Sequence, residues 1–283
     1  MRWSYIINGK EKISLSEGGC RFLESEITSV ETRTTEQEIT GRDGVLIGDN
    51  TFGPFELVLK FYYEGIDNND LLLFAEKIKK IIHARNAMYV VHSQMPGRKY
   101  AFNSAKIDDF EVITSSDASF TITFNCFKGY SESLKDTDKF SLSSGDWQFE
   151  GGLLSDDEIK YKHDTTSFKI YNGSSDTINP LLGHRFKLIV NIDAPKGFKI
   201  KNKTTSKKLN DGTETDVFEY KKSINKNQQL VISGVHPFIN NKRVGIDTNW
   251  QWLTLAEGFN DIEIIGENIS NVSTQWIFPF IYR

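Results

Sequence analysis

Cysteine is scarce: Cys20 and Cys126 are the only two in 283 residues. That is too few for a disulfide framework, and both are read as small packed thiols. Positive charge is not in surplus either, since 34 Lys and Arg face 38 Asp and Glu, a formal net charge of −4. A chain that grips a phosphate backbone needs the opposite balance, so nucleic acid is excluded as the main partner. No apolar run follows Met1-Arg-Trp-Ser-Tyr-Ile-Ile that would serve as a signal peptide, and none approaches the ~20 residues of a membrane span. The expectation is a soluble chain made in the cytoplasm, with no membrane partner. Without a secretory route, the sequons at Asn172, Asn202, Asn268 and Asn271 read as ordinary polar loop positions.

Catalytic constellations are also missing. His83, His92, His163, His184 and His236 are scattered without metal-ligand spacing, and there is no Gly-x-Ser-x-Gly elbow. The acid pairs Asp108-Asp109 and Asp156-Asp157 are adjacent in sequence, whereas glycoside hydrolysis needs carboxylates facing each other across a cleft. Gly41-Arg-Asp-Gly-Val-Leu-Ile-Gly lacks the Gly-Lys-Ser/Thr ending of a phosphate loop. It reads instead as a mobile hairpin or loop with Arg42 and Asp43 outward. Asp211-Gly-Thr-Glu-Thr-Asp lacks calcium-loop spacing and is read as a hairpin tip. No catalytic residue, metal or cofactor is expected.

What is present is β pattern. The length predicts two domains. Phe55-Glu-Leu-Val-Leu-Lys-Phe-Tyr-Tyr alternates apolar residues and stops at Glu64-Gly65. Ser119 to Phe127 puts Phe120, Ile122, Phe124 and Cys126 on one face, and Phe110-Glu-Val-Ile reads as a further strand. One helix is expected after the caps Asp67 and Asn68, with Leu71, Leu72, Ala75, Ile78, Ile81 and Ile82 as its apolar face and lysines opposite. From Gly129 to about Gly152 the composition turns to Ser, Lys, Asp and Gly, which marks a boundary. The expected division is a domain over 1–134, a linker over 135–152 and a second domain over 153–283. About eight strands follow, at Phe168–Tyr171, His184–Ile192, Gly197–Ile200, Val217–Tyr220, Gln229–Ile232, Trp250–Leu253, Asp261–Ile265 and Trp276–Tyr282. Their spacing suggests a sandwich or jelly roll. In Trp250-Gln-Trp-Leu, the alternation places Trp250 and Trp252 on one strand face, and core packing is favoured over a stacking platform for a partner or sugar.

The order of motifs carries a resemblance. Gly41-Arg-Asp-Gly, then Phe52-Gly-Pro-Phe-Glu-Leu-Val-Leu-Lys, the helix, Met88-Tyr-Val-Val-His and Tyr100-Ala-Phe resemble the N-terminal domain of siphophage distal tail proteins. Asn179-Pro-Leu-Leu-Gly-His-Arg-Phe, Gln229-Leu-Val-Ile-Ser-Gly and Leu255-Ala-Glu-Gly-Phe-Asn-Asp-Ile-Glu-Ile resemble that family's galectin-like sandwich. The fold implied is mainly β: an N-terminal β-barrel or sandwich-like domain with one covering α-helix, and a C-terminal galectin-like β-sandwich, or jelly roll. The resemblance implies a homohexameric ring at the virion tail tip that joins the tail tube protein to a tail-associated lysin or tip protein. Receptor-binding or other baseplate proteins would be carried on it, and DNA would pass only as cargo.

Ring closure needs two different adhesive surfaces on each copy. Arg42, Asp43, Phe52 and Phe55 are the candidates for the interface or channel. The alternative is a host-wall carbohydrate-binding module in which Trp250, Trp252 or Trp276 stacks on glycan. His236-Pro-Phe and Trp250 lack the spacing, and the arginine, of a sugar-binding galectin.

Overall fold

The computed structural model describes residues 2–141, 146–147 and 159–283. Half of the linker expected over 135–152, together with Asp156 and Asp157, lies outside the described residues. The chain divides into two compact units, Met1–Leu134 with Arg283, and Lys135–Tyr282.

The first unit is built on β1 (Ser4–Asn8), β2 (Glu11–Ser14), β3 (Cys20–Ile27), β4 (Thr32–Arg33), β5 (Glu36–Glu38), β6 (Val45–Ile47), β7 (Thr51–Phe52) and β8 (Phe55–Glu64). After these come α1 (Asn68–Ile82), β9 (Met88–His92), β10 (Arg98–Val112), β11 (Asp117–Cys126) and β12 (Ser131–Ser133). The main sheet runs in the order β2-β1-β9-β10-β11-β8-β3, with β12 added along β10. Its centre follows from the period-two pattern. Phe55, Leu57, Leu59 and Phe61 of β8 are buried and lie opposite Cys126, Phe124, Ile122 and Phe120 of β11. Both thiols are buried, and desolvation pushes each up to about 12, so they stay protonated and poorly nucleophilic. The strand expected at Phe110 is the far end of β10, which the chain follows through two irregularities, between Phe102 and Ser104 and between Asp108 and Glu111.

The Asp67 carboxylate accepts from the Asp70 N–H and caps α1. The Asp70 carboxylate in turn accepts from the Ile66 N–H and the Tyr63 hydroxyl, which fixes the helix to the end of β8. The buried stripe is Leu71, Phe74, Ile78 and Ile82, whereas Leu72 and Leu73 face outward. The expected face is thereby corrected by about one residue's rotation: Phe74 replaces Leu72, because its ring stacks on Tyr63 at 3.8 Å and meets Phe120 at 5.7 Å.

His92 ends β9 fully buried between Phe22 and Tyr100, and neither ring nitrogen has a hydrogen-bond partner among the described residues. Burial lowers its pKa from an ordinary 6.5 to about 4. The unfolded chain therefore takes up this proton first, and stability declines as pH falls from 6.5 towards 4, by at most about 3 kcal/mol. Urea midpoints at pH 7 and pH 4.5 should show that decline, with His92→Phe losing much of it and gaining stability at neutral pH. Equal acid sensitivity in both proteins would remove His92 as its source.

The second unit contains β13 (Lys162–His163), β14 (Ser167–Asn172), β15 (Lys187–Asp193), β16 (Phe198–Asn202), β17 (Val217–Tyr220), β18 (Leu230–Ser233), β19 (His236–Ile239), β20 (Lys242–Arg243), β21 (Gly258–Ile265) and β22 (Ser270–Ile277). They form two sheets, β13-β22-β15-β18-β19-β20 and β14-β21-β16-β17. Trp276 of one sheet meets Phe168 of the other edge to face at 6.1 Å, and it is wholly buried with Phe278 and Phe280. Residues from the expected linker join this core: the Thr137 hydroxyl donates to the Trp276 carbonyl and accepts from the Phe278 N–H.

Two readings are corrected here. Trp250–Leu253 is not a strand, because Trp250 sits at φ +59 and breaks the alternation. Nor are all four sequon asparagines loop positions. Asn172 and Asn202 are wholly buried. The Asn202 amide donates to the Thr254 carbonyl and to the Asn260 side chain, and the Asn172 amide donates to the Leu255 carbonyl. Together they hold the turn that leads into β21. Asn268 does lie in the exposed turn before β22, whereas Asn271 is the second residue of β22, also exposed; both have positive φ.

Candidate assembly arm and surface cleft

Between β3 and β8 the chain leaves the sheet as a separate ribbon. β4 pairs with β7 and β5 with β6, and the Gly53 and Gly48 N–H groups close the ladder on the carbonyls of Glu31 and Thr35. At its tip Gly41 and Gly44 have φ near +84 and +79, so the reversal needs residues without a Cβ. Arg42 and Asp43 occupy that tip and are exposed, as the outward reading of this loop expects. Every residue from 31 to 52 is exposed, including Ile39, Val45, Leu46 and Ile47, the last at 71 %. A two-stranded ribbon without a core is marginal in water, and apolar side chains on an uncovered strand pair are an invitation to association.

Phe52 and Phe55 belong to different environments. Phe52 is partly exposed at the base of the arm, with the Arg283 guanidinium 3.8 Å from its ring centre. Phe55 is buried and packs edge to face on Tyr100. It is corrected from interface or channel candidate to core residue, because alternation along β8 turns it inward.

At the other end of β8 a second uncovered apolar area appears. Ile66, Leu72, Leu73, Val112 and Ile113 are all exposed. The loop carrying Ile66 is tied to the β10–β11 turn by the Gly65 N–H donating to the Ser116 carbonyl.

In the second unit, the tryptophans separate. Trp276 is wholly buried, with its indole N–H directed to the Thr274 hydroxyl, and it is corrected from a contact residue to a core residue. Trp250 is 70 % exposed rather than packed in the core. A bulky residue at positive φ costs on the order of 1–3 kcal/mol and persists only where neighbours impose it. Here Asn249 imposes it: its side chain donates to the Val217 carbonyl and accepts from the Glu219 and Gln251 N–H groups. The indole of Trp250 lies over Gly245, where there is no side chain to displace it.

Trp250 and Trp252 line a cleft of about 370 Å³ that also receives His236, Arg243, Thr248 and Gln251. Arg243 reaches the cleft from the edge strand β20. Among the described residues, no group of three or more His, Cys, Asp or Glu is placed to hold a metal.

Residues 7–126 match the family model of the phage tail protein RIFT-related domain. No curated protein matches the chain in sequence. Among solved structures, the Dit protein of phage SPP1, described as a paradigm of the hub adsorption apparatus in phages infecting Gram-positive bacteria, aligns over 99 % of both chains with 14 % identity and a TM-score of 0.63. The baseplate of phage P2 in its activated conformation with calcium aligns over 98 % of both chains with 13 % identity and a TM-score of 0.43. Residues 7–126 are thus similar to the phage tail protein RIFT-related domain, and the chain as a whole has a fold like that of the SPP1 Dit protein.

Proposed function

We propose that this protein is the distal tail protein of a long-tailed phage, a non-catalytic hub at the virion tail tip. Six copies would form a ring through their first units, join the tail tube protein to a tail-associated lysin or tip protein, and carry receptor-binding or other baseplate proteins. DNA would cross the ring only as cargo.

The observation that carries this reading is the arm: some twenty exposed residues, with apolar side chains on a ribbon that nothing among the described residues covers. A closed ring of identical subunits uses a heterologous contact, one surface on each copy meeting a different surface on the next. The area around Ile66, Leu73 and Ile113 supplies the second surface, displaced from the arm by the length of β8, which at ten residues is about 30 Å. Two adhesive areas so far apart on one rigid sheet cannot satisfy each other within a copy, but they can between neighbours.

Light scattering on the purified chain, with electron images of the same sample, tests this. The expected result is a six-fold ring with a central hole. Replacing Ile39, Leu46 and Ile47 together by Ser should yield folded monomers, and Leu73→Lys should do the same from the other surface. A wild-type chain that stays monomeric at high concentration, and in the presence of its tail tube protein, would end the hub reading.

A further inference from the structure

Asp-Gly occurs at Asp43-Gly44 and Asp211-Gly212, and Asn-Gly at Asn8-Gly9 and Asn172-Gly173. Because glycine has no side chain, the peptide nitrogen that follows the Asp or Asn is open to attack that residue's own Cγ and close a five-membered ring. Closure needs an untied side chain, an untied nitrogen and a backbone free to rotate about ψ. The fold withholds these at three of the four places. The Asp211 carboxylate accepts from the Thr213 N–H at 2.9 Å, and the Gly212 N–H donates to the Leu209 carbonyl at 3.0 Å. The Thr213 bond also lowers the Asp211 pKa, which keeps the carboxyl in the ionised form that ring closure cannot use. Asn172 is wholly buried, its amide donating to the Asp176 and Leu255 carbonyls and its oxygen accepting from the Ser174 N–H. Asn8 ends β1 paired with Glu11, and a ladder opposes rotation away from extended backbone. At the arm's tip no such restraint exists. The last ladder pair is Glu38 with Val45, so Asp43 and Gly44 lie beyond it, both exposed. Neither the Asp43 carboxylate nor the Gly44 N–H makes a hydrogen bond among the described residues.

We propose that Asp43 is a self-modification site, at which the unassembled chain converts its own Asp43–Gly44 linkage to isoaspartate. The Gly44 nitrogen attacks Cγ of the uncharged Asp43 carboxyl. An N–Cγ bond replaces the C–OH bond, the hydroxyl leaves with the amide proton as water, and a succinimide results. Water then opens one of the two ring carbonyls. Opening at Cγ restores aspartate. Opening at the α-carbonyl breaks the original peptide link and leaves the chain running through Cγ. One water is lost and one gained, so no co-reactant is required. The product carries one more carbon in the main chain of a tip whose turn depends on Gly41 and Gly44 at positive φ, and its carboxylate sits directly on the main chain. A further consequence rests on the ring reading given above: a neighbour covers the arm in the ring, so assembly protects Asp43 and the isomer marks chains that stayed outside it.

The test incubates the whole chain at physiological temperature and mildly acid pH, both as wild type and as Leu73→Lys, whose arm is intact. Isoaspartate is measured by methyl transfer from labelled S-adenosylmethionine with an isoaspartyl methyltransferase, and located by electron-transfer fragmentation of proteolytic peptides. In Leu73→Lys the isomer should accumulate at position 43 at least about tenfold faster than at position 211, where closure must wait for the hairpin tip to open. In concentrated urea the two rates should converge, since the restraint on Asp211 is then gone. Asp43→Glu, which would have to close a six-membered ring, should abolish the signal at position 43 with an unchanged circular dichroism spectrum. Equal accumulation at 43 and 211 in the folded chain, or a gap that persists in urea, overturns the proposal. Light scattering on the same samples reads the ring separately. Wild-type rings that age as fast as the Leu73→Lys chain would overturn protection by assembly while leaving the isomerisation standing, so either reading can fail alone.

Discussion

Glu132→Ala should destabilise the first unit by about 3–5 kcal/mol, as removal of one partner from a buried ion pair does. The Glu132 side chain is only 1 % exposed, and its carboxylate accepts from the Lys128 ammonium at 2.8 Å. Lys128 also donates to the Tyr89 hydroxyl and lies near the Tyr89 and Tyr130 rings. Burial by itself would lower the Lys128 pKa, but the carboxylate and its hydrogen bond outweigh it and the net shift is upward. With a raised folded-state value, the lysine's contribution is complete below its ordinary 10.5 and disappears as pH rises above that. Truncating Glu132 leaves a cation desolvated without its counterion, and that, rather than the loss of one contact, is where the cost arises. Replacing both partners, Lys128→Met with Glu132→Leu, should therefore recover most of the loss. Urea denaturation of the two single variants and the double variant gives the coupling energy directly. Additive losses would show that the two groups do not act as a pair.

Phe120→Ala should cost about 3–5 kcal/mol, in the upper range for an aromatic removed from a packed interior. Its ring stacks on Phe61 at 5.3 Å and on Phe110 at 5.6 Å, and Phe74 of the helix meets it at 5.7 Å. One deletion thus removes contact from β8, β10 and α1 together, in a place where none of the three can close the gap without losing its own register. Phe120→Leu keeps most of the volume and should cost less than half as much. Denaturant midpoints for the two variants check the ratio, and a small loss for Phe120→Ala would mean that the helix collapses into the vacancy.

These interiors were largely legible from sequence. The alternation in β8 and β11 is long, and each inward residue meets another across the pair, so local pattern and tertiary packing agree. The helix was legible in extent but not in register. Leu72 and Leu73 widen its apolar arc, and nothing local says that Phe74 has Tyr63 to stack on. Trp-x-Trp at 250–252 imitates a strand because alternation is all the sequence displays, whereas the positive φ is imposed by Asn249 reaching residues some thirty positions away. The cleft was hidden for the same reason: His236, Arg243 and Trp250 come together only through the β18–β19–β20 meander and the loop that follows it, and β19 itself, interrupted by Pro237, does not read as a strand. The arm's tip was legible because glycine chemistry is local. Phe52 and Phe55, three residues apart, were indistinguishable until the exit of the arm separated them.

The buried asparagines impose a choice of production host. Asn172 and Asn202 both stand in acceptor sequons, so in a eukaryotic secretory pathway the glycosylation machinery would meet them on the nascent chain before the sandwich closes. A glycan there would occupy the amide nitrogens that bind Leu255 and Thr254, and no room exists for a sugar at positions wholly out of contact with solvent. The second unit is thus compatible with folding where such glycosylation does not occur, and its own turn into β21 is what enforces that restriction.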